Sequence, residues 1–529
     1  MYSGIDNPST WLLSRVIAEQ AQAKGDARAV SMVNGEFLSY SQLADNAAQV
    51  AGMLASMGIG PGDRVAILVP NSLDFIRAWA GLERLGATCV FLNPELMGQF
   101  LLHPLRDSEP RVLIVDHSLV RRLAGLGRDL PEFEQILIVG DGEGVSDVGL
   151  PFDAWRSAAR YEGPFAASTD IAGIMYTSGT TGAPKGVLMP HAHCFLFSLG
   201  SVENVGITAD DHYYICLPLF HVNALMIQLG AVLIAGATAT LAERFSVSSW
   251  LNDIRTSGAT VTNTLGVINA YMAAQPETPG DRDHRLRLLS TAPNHPDHDR
   301  MWRHRFGIRE VMSGFGMTEC NIPLFVDLKD PRPGTCGKAW AKYFEVEIRD
   351  VGTGLPVATG EIGEIVVRPR VGQAFMAGYH NQPEKTVEAW RGLWFHTGDA
   401  GRVDKEGNFT FVDRIKDCIR RRGENISAVE IENIMSQLAG VVEVAAYAVP
   451  SEAAGSEDEI MLAIIPDPGS PATSASIRSH ARDHMPRFAQ PRFVEFMKAL
   501  PKTATEKVKK LELKKAGVTP STIDLNQID

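Results

Sequence analysis

Between Leu38 and Gly314 the chain switches repeatedly between two hydrophobic periods. Helical stretches such as Tyr40 to Met57 and Leu73 to Leu85 alternate with short apolar runs such as Val65 to Val69 and Val112 to Val115. The alternation continues through Ala259 to Thr264, Leu286 to Thr291 and Arg309 to Gly314. A helix that follows an apolar strand covers a sheet face and returns the chain to the same edge, so the pattern predicts parallel or mixed sheets under helices. At 529 residues the chain exceeds one core and is expected to divide into domains. Beyond Cys336 the texture changes. Phe344 to Asp350, Gly363 to Arg368 and Asn408 to Val412 read as strands with Gly-rich turns. Val429 to Ser436, Glu443 to Val449, Ile460 to Ile465 and Ser474 to Arg482 outline a compact α+β unit. The fold class is therefore α/β: a large N-terminal domain of α/β subdomains plus a β subdomain, over residues 1–413, and a small α+β C-terminal domain over 414–529.

Directly after the apolar segment Ile171 to Met175 comes YTSGTTGAPKG, from Tyr176 to Gly186, with four Ser/Thr hydroxyls, three glycines, a proline and a lysine. Glycines let backbone N–H groups approach an anion, hydroxyls add donors, and the Lys185 ammonium supplies an opposing charge. No acidic residue interrupts the loop, which is built to hold phosphate; the competing reading is a surface turn. The Walker pattern is absent, because Lys185 follows Pro184 and precedes Gly186, so a P-loop ATPase is disfavoured.

A net charge of −12 offers no general attraction to nucleic acid or anionic lipid, so any polyanion site must be local. Six cysteines lie far apart without a C-x-x-C pair, which argues against a zinc framework or disulfide scaffold and fits a reducing cytoplasm. The first twenty residues hold Asp6, Arg15 and Glu19 and lack a secretory pattern. Ile215 to Ala242 has no Asp, Glu, Lys or Arg and is long enough for a membrane span. It also holds Pro218, His221, Asn223 and Gln228, and is expected to be buried inside an α/β domain instead.

Six motifs stand in order: YTSGTTGAPKG at 176, LPLFH at 217, GFGMTE at 314, WFHTGD at 394, FVDRIKD with RGENI between 411 and 426, and PKTATEKVKK near the end. With them the chain resembles, over nearly its whole length, the acyl-adenylate-forming superfamily of acyl-CoA synthetases, adenylation domains and luciferases. The resemblance implies that a carboxylate is joined to AMP with loss of pyrophosphate, and that the acyl group then passes to a thiol. It assigns Thr177, Ser178, Gly179, Thr180, Thr181 and Lys185 to the ATP phosphates. Thr318 becomes an α-phosphate donor, and Glu319 the carboxylate for Mg²⁺, an ion that draws the rest of its shell from water and substrate phosphates.

By the same resemblance Asp399 accepts the ribose hydroxyls and Arg414 adds a contact to ribose or phosphate. Adenine is expected against Thr291, Ala292 and Pro293 and beside Gly314, Phe315 and Gly316, although Ser290-Thr291 replaces the family's usual double glycine. Lys507 is the catalytic ammonium near the α-phosphate, with Glu506 where the family usually has glycine. Without the motif, composition favours Lys507 as one of the solvated tail lysines with Lys502, Lys509, Lys510, Lys514 and Lys515. Lys416 matches the hinge about which the small domain turns to bring Gly423 and Glu424 to the coenzyme A channel.

His221 resembles the residue at the mouth of the acyl pocket, and as a lone residue could equally be a core histidine. Leu219 to Gln228 holds no acid, which disfavours amino-acid activation, and an apolar carboxylic acid of moderate or larger size fits a pocket expected to be lined by parts of Val222 to Met226, Leu265 to Ile268, Met312 to Gly314 and Asn321 to Pro323. The expected reactants are thus a small-molecule carboxylic acid, ATP with Mg²⁺, and coenzyme A; a homodimer is an admissible assembly. Two alternatives remain: an adenylating enzyme that loads a separate acyl carrier protein, and an inactive nucleotide-binding homologue.

Overall fold

The computed structural model describes residues 1–141, 148–177, 184–415, 419–421, 424–426, 428–450, 458–485, 489–502 and 508–527. The chain packs as two compact units, Met1–Glu345 with Val367–Phe395, and Val346–Val366 with His396–Asp529. This grouping concerns packing. The expected boundary at 413/414 concerns which segment turns.

The first unit contains two large sheets. One has eight strands in the order Gly378–Tyr379, Lys185–Pro190, Ile171–Thr177, Thr88–Phe91, Arg64–Leu68, Val112–Asp116, Gln135–Val139 and Leu150–Pro151. Its body is parallel, and the first two strands run antiparallel to their neighbours. Val65 to Leu68 and Val112 to Val115 are buried throughout, which is why these strands read as unbroken apolar runs. The helix Tyr40–Ser56 starts at a capping box between Ser39 and Gln42, and Leu73–Leu85 starts at Ser72 and stops at the left-handed Gly86 (φ 80°).

The second large sheet has seven strands in the order Glu310–Met312, Leu288–Ala292, Val261–Leu265, His212–Ile215, Thr238–Leu241, Arg28–Met32 and Phe37–Ser39, parallel except at the last pair. The uncharged run from Ile215 to Ala242 supplies a buried helical segment, Asn223–Gly230 followed by Ala231–Ala235, and the strand Thr238–Leu241. Among the described residues no helix is long and apolar enough to cross a membrane. A small antiparallel sheet of Gly314–Met317, Asn321–Phe325 and Lys338–Ala339 carries the GFGMTE motif.

In the second unit the stretch from Asp399 to Val403 pairs antiparallel with Phe409–Arg414. Its C-terminal part is a four-stranded sheet of Val441–Val449, Glu459–Pro466, Phe493–Phe496 and Ile523–Asp524, with the helices Ala428–Met435 and Ser474–His484. Ile431, Met435, Leu462, Ile464, Ile477 and Val494 form its core, as the α+β pattern predicts.

Candidate active site

Ser178, Gly179, Thr180 and Thr181 lie outside the described residues, as do Lys416, Gly423, Glu506 and Lys507. The residues on either side of 178–183 are described. Thr177 ends one strand and Lys185 opens the next, and the two stand opposite each other in the antiparallel register. One ladder therefore joins Thr177 to Lys185. The exit is pinned further, since His103 Nε2 lies 2.9 Å from the Pro184 carbonyl and His380 N–H donates to the Gly186 carbonyl at 2.7 Å.

Thr318 and Glu319 occupy the turn between Gly314–Met317 and Asn321–Phe325. The glycines of the motif have a steric reason: a Cβ on Gly314 would stand 2.7 Å from the Leu324 carbonyl oxygen, and one on Gly316 2.5 Å from that of Asn321. Asn321 takes a left-handed conformation (φ 67°), and its side chain donates to the His193 carbonyl at 3.0 Å. His193 Nε2 lies 2.8 Å from the Thr318 carbonyl and Nδ1 2.8 Å from that of Ala374. Burial pushes the His193 pKa down to about 4, so the ring is neutral and its single N–H serves one carbonyl at a time.

Glu319 is only 4% exposed. Met376 N–H donates to its backbone carbonyl at 3.0 Å, and the Tyr379 hydroxyl donates to its Oε1 at 3.1 Å. The face of the Tyr379 ring meets the Lys185 ammonium, 4.0 Å from the ring centroid. The phosphate-loop lysine and the motif carboxylate, far apart in sequence, thus converge on one tyrosine.

The expected adenine turn is a cis Ala292-Pro293 peptide with both residues exposed. Thr291 points inward instead: its hydroxyl accepts from Asn269 Nδ2 at 2.7 Å in a buried cluster with Thr264 and Trp302. Phe315 is buried while Gly316 is exposed. The His221 ring lies 4.1 Å from that of Phe220, and burial of the imidazole pushes its pKa down to about 4. The preceding LPLF run is anchored by buried Asn71, which donates to the Leu217 and Ala242 carbonyls and accepts from Leu219 N–H.

Within the second unit, Asp399 and Arg414 are register partners, and Arg414 Nε lies 2.9 Å from Asp399 Oδ1. Asp399 is 2% exposed. Glu364 sets the turn before it, accepting from Gly398 N–H at 3.0 Å and standing 2.6 Å from His396 Nδ1. Glu424 lies in the strand Glu424–Ile426, paired with Ile419–Arg421. Of the tail lysines, Lys502 meets Glu443 at 3.0 Å, Lys509 meets Glu512 at 2.9 Å and Lys510 meets Glu432 at 2.9 Å.

Tyr379, and the part His193 and Asn321 play in holding the Thr318–Glu319 turn, were not singled out by the sequence. Two histidines just past the phosphate loop and an asparagine directly after Glu319 and Cys320 were the available signals, and AGYH around Tyr379 gave none.

Comparison with known proteins gives the family. The family described as AMP-binding enzyme matches residues 17–380, and the AMP-binding enzyme C-terminal domain matches 430–507. A crotonobetaine/carnitine–CoA ligase from Salmonella heidelberg (strain SL476) is 31% identical over 489 residues, covering 90% of this chain and 93% of that protein. The crystal structure of the anthranilate CoA ligase AuaEII in complex with anthranoyl-AMP superposes with a TM-score of 0.84 at 26% identity, over 97% of this chain and 99% of that one. ATP-bound MatB from Rhodopseudomonas palustris gives 0.82 at 26% identity, over 95% and 98%. The ordered motifs, the frame around the phosphate loop and the matched length together establish that this chain belongs to the AMP-binding enzyme family of acyl-adenylate-forming acyl-CoA synthetases.

Proposed function

We propose that the protein is an acid:CoA ligase that first joins a carboxylic acid to AMP, releasing pyrophosphate, and then transfers the acyl group to coenzyme A, releasing AMP. The observation that carries this is the convergence of Lys185 and Glu319 on Tyr379 at the end of the hydroxyl-rich loop. A carboxylate is a weak nucleophile and ATP is highly anionic, so the first step needs neutralised phosphates and a fixed line of attack rather than a covalent protein intermediate. Thr177, Ser178, Gly179, Thr180, Thr181 and Lys185 hold the departing β- and γ-phosphates. Thr318 donates to the α-phosphate, and Lys507 neutralises the charge that grows on it as the substrate oxygen bonds to phosphorus and the pyrophosphate oxygen leaves. Asp399 and Arg414 orient the ribose, and the exposed Ala292-Pro293 turn with Phe315 receives adenine.

Mg²⁺ fits Glu319: the carboxylate is buried, its Oε1 is engaged by Tyr379, and among the described residues none donates to Oε2. The described residues contain no group of three or more His, Cys, Asp or Glu able to hold a metal, which suits an ion that takes most of its shell from ATP and water. Once bound, the ion neutralises phosphate charge. In the second step the thiol attacks the acyl carbonyl and AMP leaves. For this step residues 414–529 turn about Lys416, withdrawing Lys507 and presenting Gly423 and Glu424. His221 stands at the mouth of the acyl pocket. The enzyme works in the cytoplasm, as a monomer or homodimer. The acid is a carboxylic acid of the fatty, aryl, steroid or betaine kinds; the relatives, named for crotonobetaine or carnitine and for anthranilate, do not choose among these.

A panel of such acids with ATP, Mg²⁺ and coenzyme A tests this reading: at least one acid yields AMP and an acyl-CoA thioester in equal amounts. Formation of neither across the panel contradicts it. Thioester formed on a carrier protein but never on coenzyme A would replace the acceptor.

A further inference from the structure

Tyr379 belongs to none of the motifs that define the site, yet it touches two of its charged groups. Its two-residue strand, Gly378–Tyr379, pairs with Lys185–Pro190, placing Tyr379 opposite Val187, and its backbone N–H is held by Thr386 Oγ1 at 2.9 Å. The side chain is 6% exposed. Its hydroxyl donates to Glu319 Oε1 at 3.1 Å. Lys185 lies over the ring face, a contact that depends on the ring and not on the hydroxyl.

The hydroxyl therefore decides how Glu319 can bind a cation. With Oε1 accepting from Tyr379, Oε2 is the carboxylate oxygen that no described residue donates to. One oxygen suits Mg²⁺, which demands octahedral geometry at short distance, whereas Ca²⁺ accepts a carboxylate through both oxygens. We infer that Tyr379 is a positioning residue that holds Glu319 as a one-oxygen ligand and so sets the preference of the ATP site for Mg²⁺ over Ca²⁺. The inference rests on the proposed role of Glu319 as the metal carboxylate.

Binding of ATP to the full-length protein, measured by calorimetry with Mg²⁺, with Ca²⁺ and with EDTA, tests it without relying on turnover. Tyr379→Phe keeps the ring and its contact with Lys185 and removes only the donor. Its affinity for ATP in EDTA stays at the wild-type value, while the ratio of MgATP to CaATP affinity falls by about tenfold, the lower end of what losing an outer partner of a metal ligand costs. Glu319→Asp draws the carboxylate back from the phenol by one methylene and lowers the same ratio, so the result does not hang on one variant folding. Adding Tyr379→Phe to Glu319→Asp brings little further change, because the contact is already broken. An unchanged ratio in Tyr379→Phe, with Glu319→Gln losing the benefit of Mg²⁺, overturns the inference and leaves Glu319 as the metal carboxylate. Glu319→Gln binding MgATP like the wild type removes both.

Discussion

The most exposed assumption at the scale of single residues is the neutral charge of His193. Its ring is fully buried between the Thr318 and Ala374 carbonyls, and burial lowers its pKa from 6.5 to about 4. Between those two values the unfolded chain binds a proton that the folded chain refuses, so stability is complete above pH 6.5 and is lost as pH falls toward 4. At pH 5 the loss attributable to this one group is about 2 kcal/mol. His193→Asn removes the titration, and the fall in Tm between pH 7.5 and pH 5 is accordingly smaller in the variant than in the wild type. Equal falls would show that the ring does not resist protonation.

At the scale of elements, the GFGMTE hairpin depends on two backbones approaching closely. Gly316→Ala places a Cβ 2.5 Å from the Asn321 carbonyl oxygen, an atom that cannot rotate away. The hairpin must open to admit it, at a cost of about 1–3 kcal/mol, and ATP binding weakens with the shift of Thr318 and Glu319. Chemical denaturation and ATP calorimetry on the same variant check both effects, and wild-type values in either contradict the packing described. The elements themselves were legible because they follow local rules. Leu73–Leu85 has its serine cap and glycine stop, and Val112 to Val115 is an unbroken β-branched and apolar run. The charged site residues were legible because their motifs are contiguous. Tyr379 was not, since its importance lies in contacts with residues 60 positions and nearly 200 positions away in sequence, which no local period encodes. The inward turn of Thr291 escaped for the same reason: its partner, Asn269, belongs to another strand–helix unit.

For the whole molecule, the family places two chemical steps on one chain, and the roles given to Lys507 and Lys416 require that the steps be separable. The direct measurement is acid-dependent exchange of labelled pyrophosphate into ATP with coenzyme A left out, using the best acid from the panel. The account predicts exchange without coenzyme A and AMP release only after it is added. It also predicts that Lys507→Ala loses exchange by about a hundred- to a thousandfold while still converting a supplied acyl-adenylate to the thioester. Exchange that requires coenzyme A, or ADP and phosphate formed in place of AMP and pyrophosphate, would contradict it.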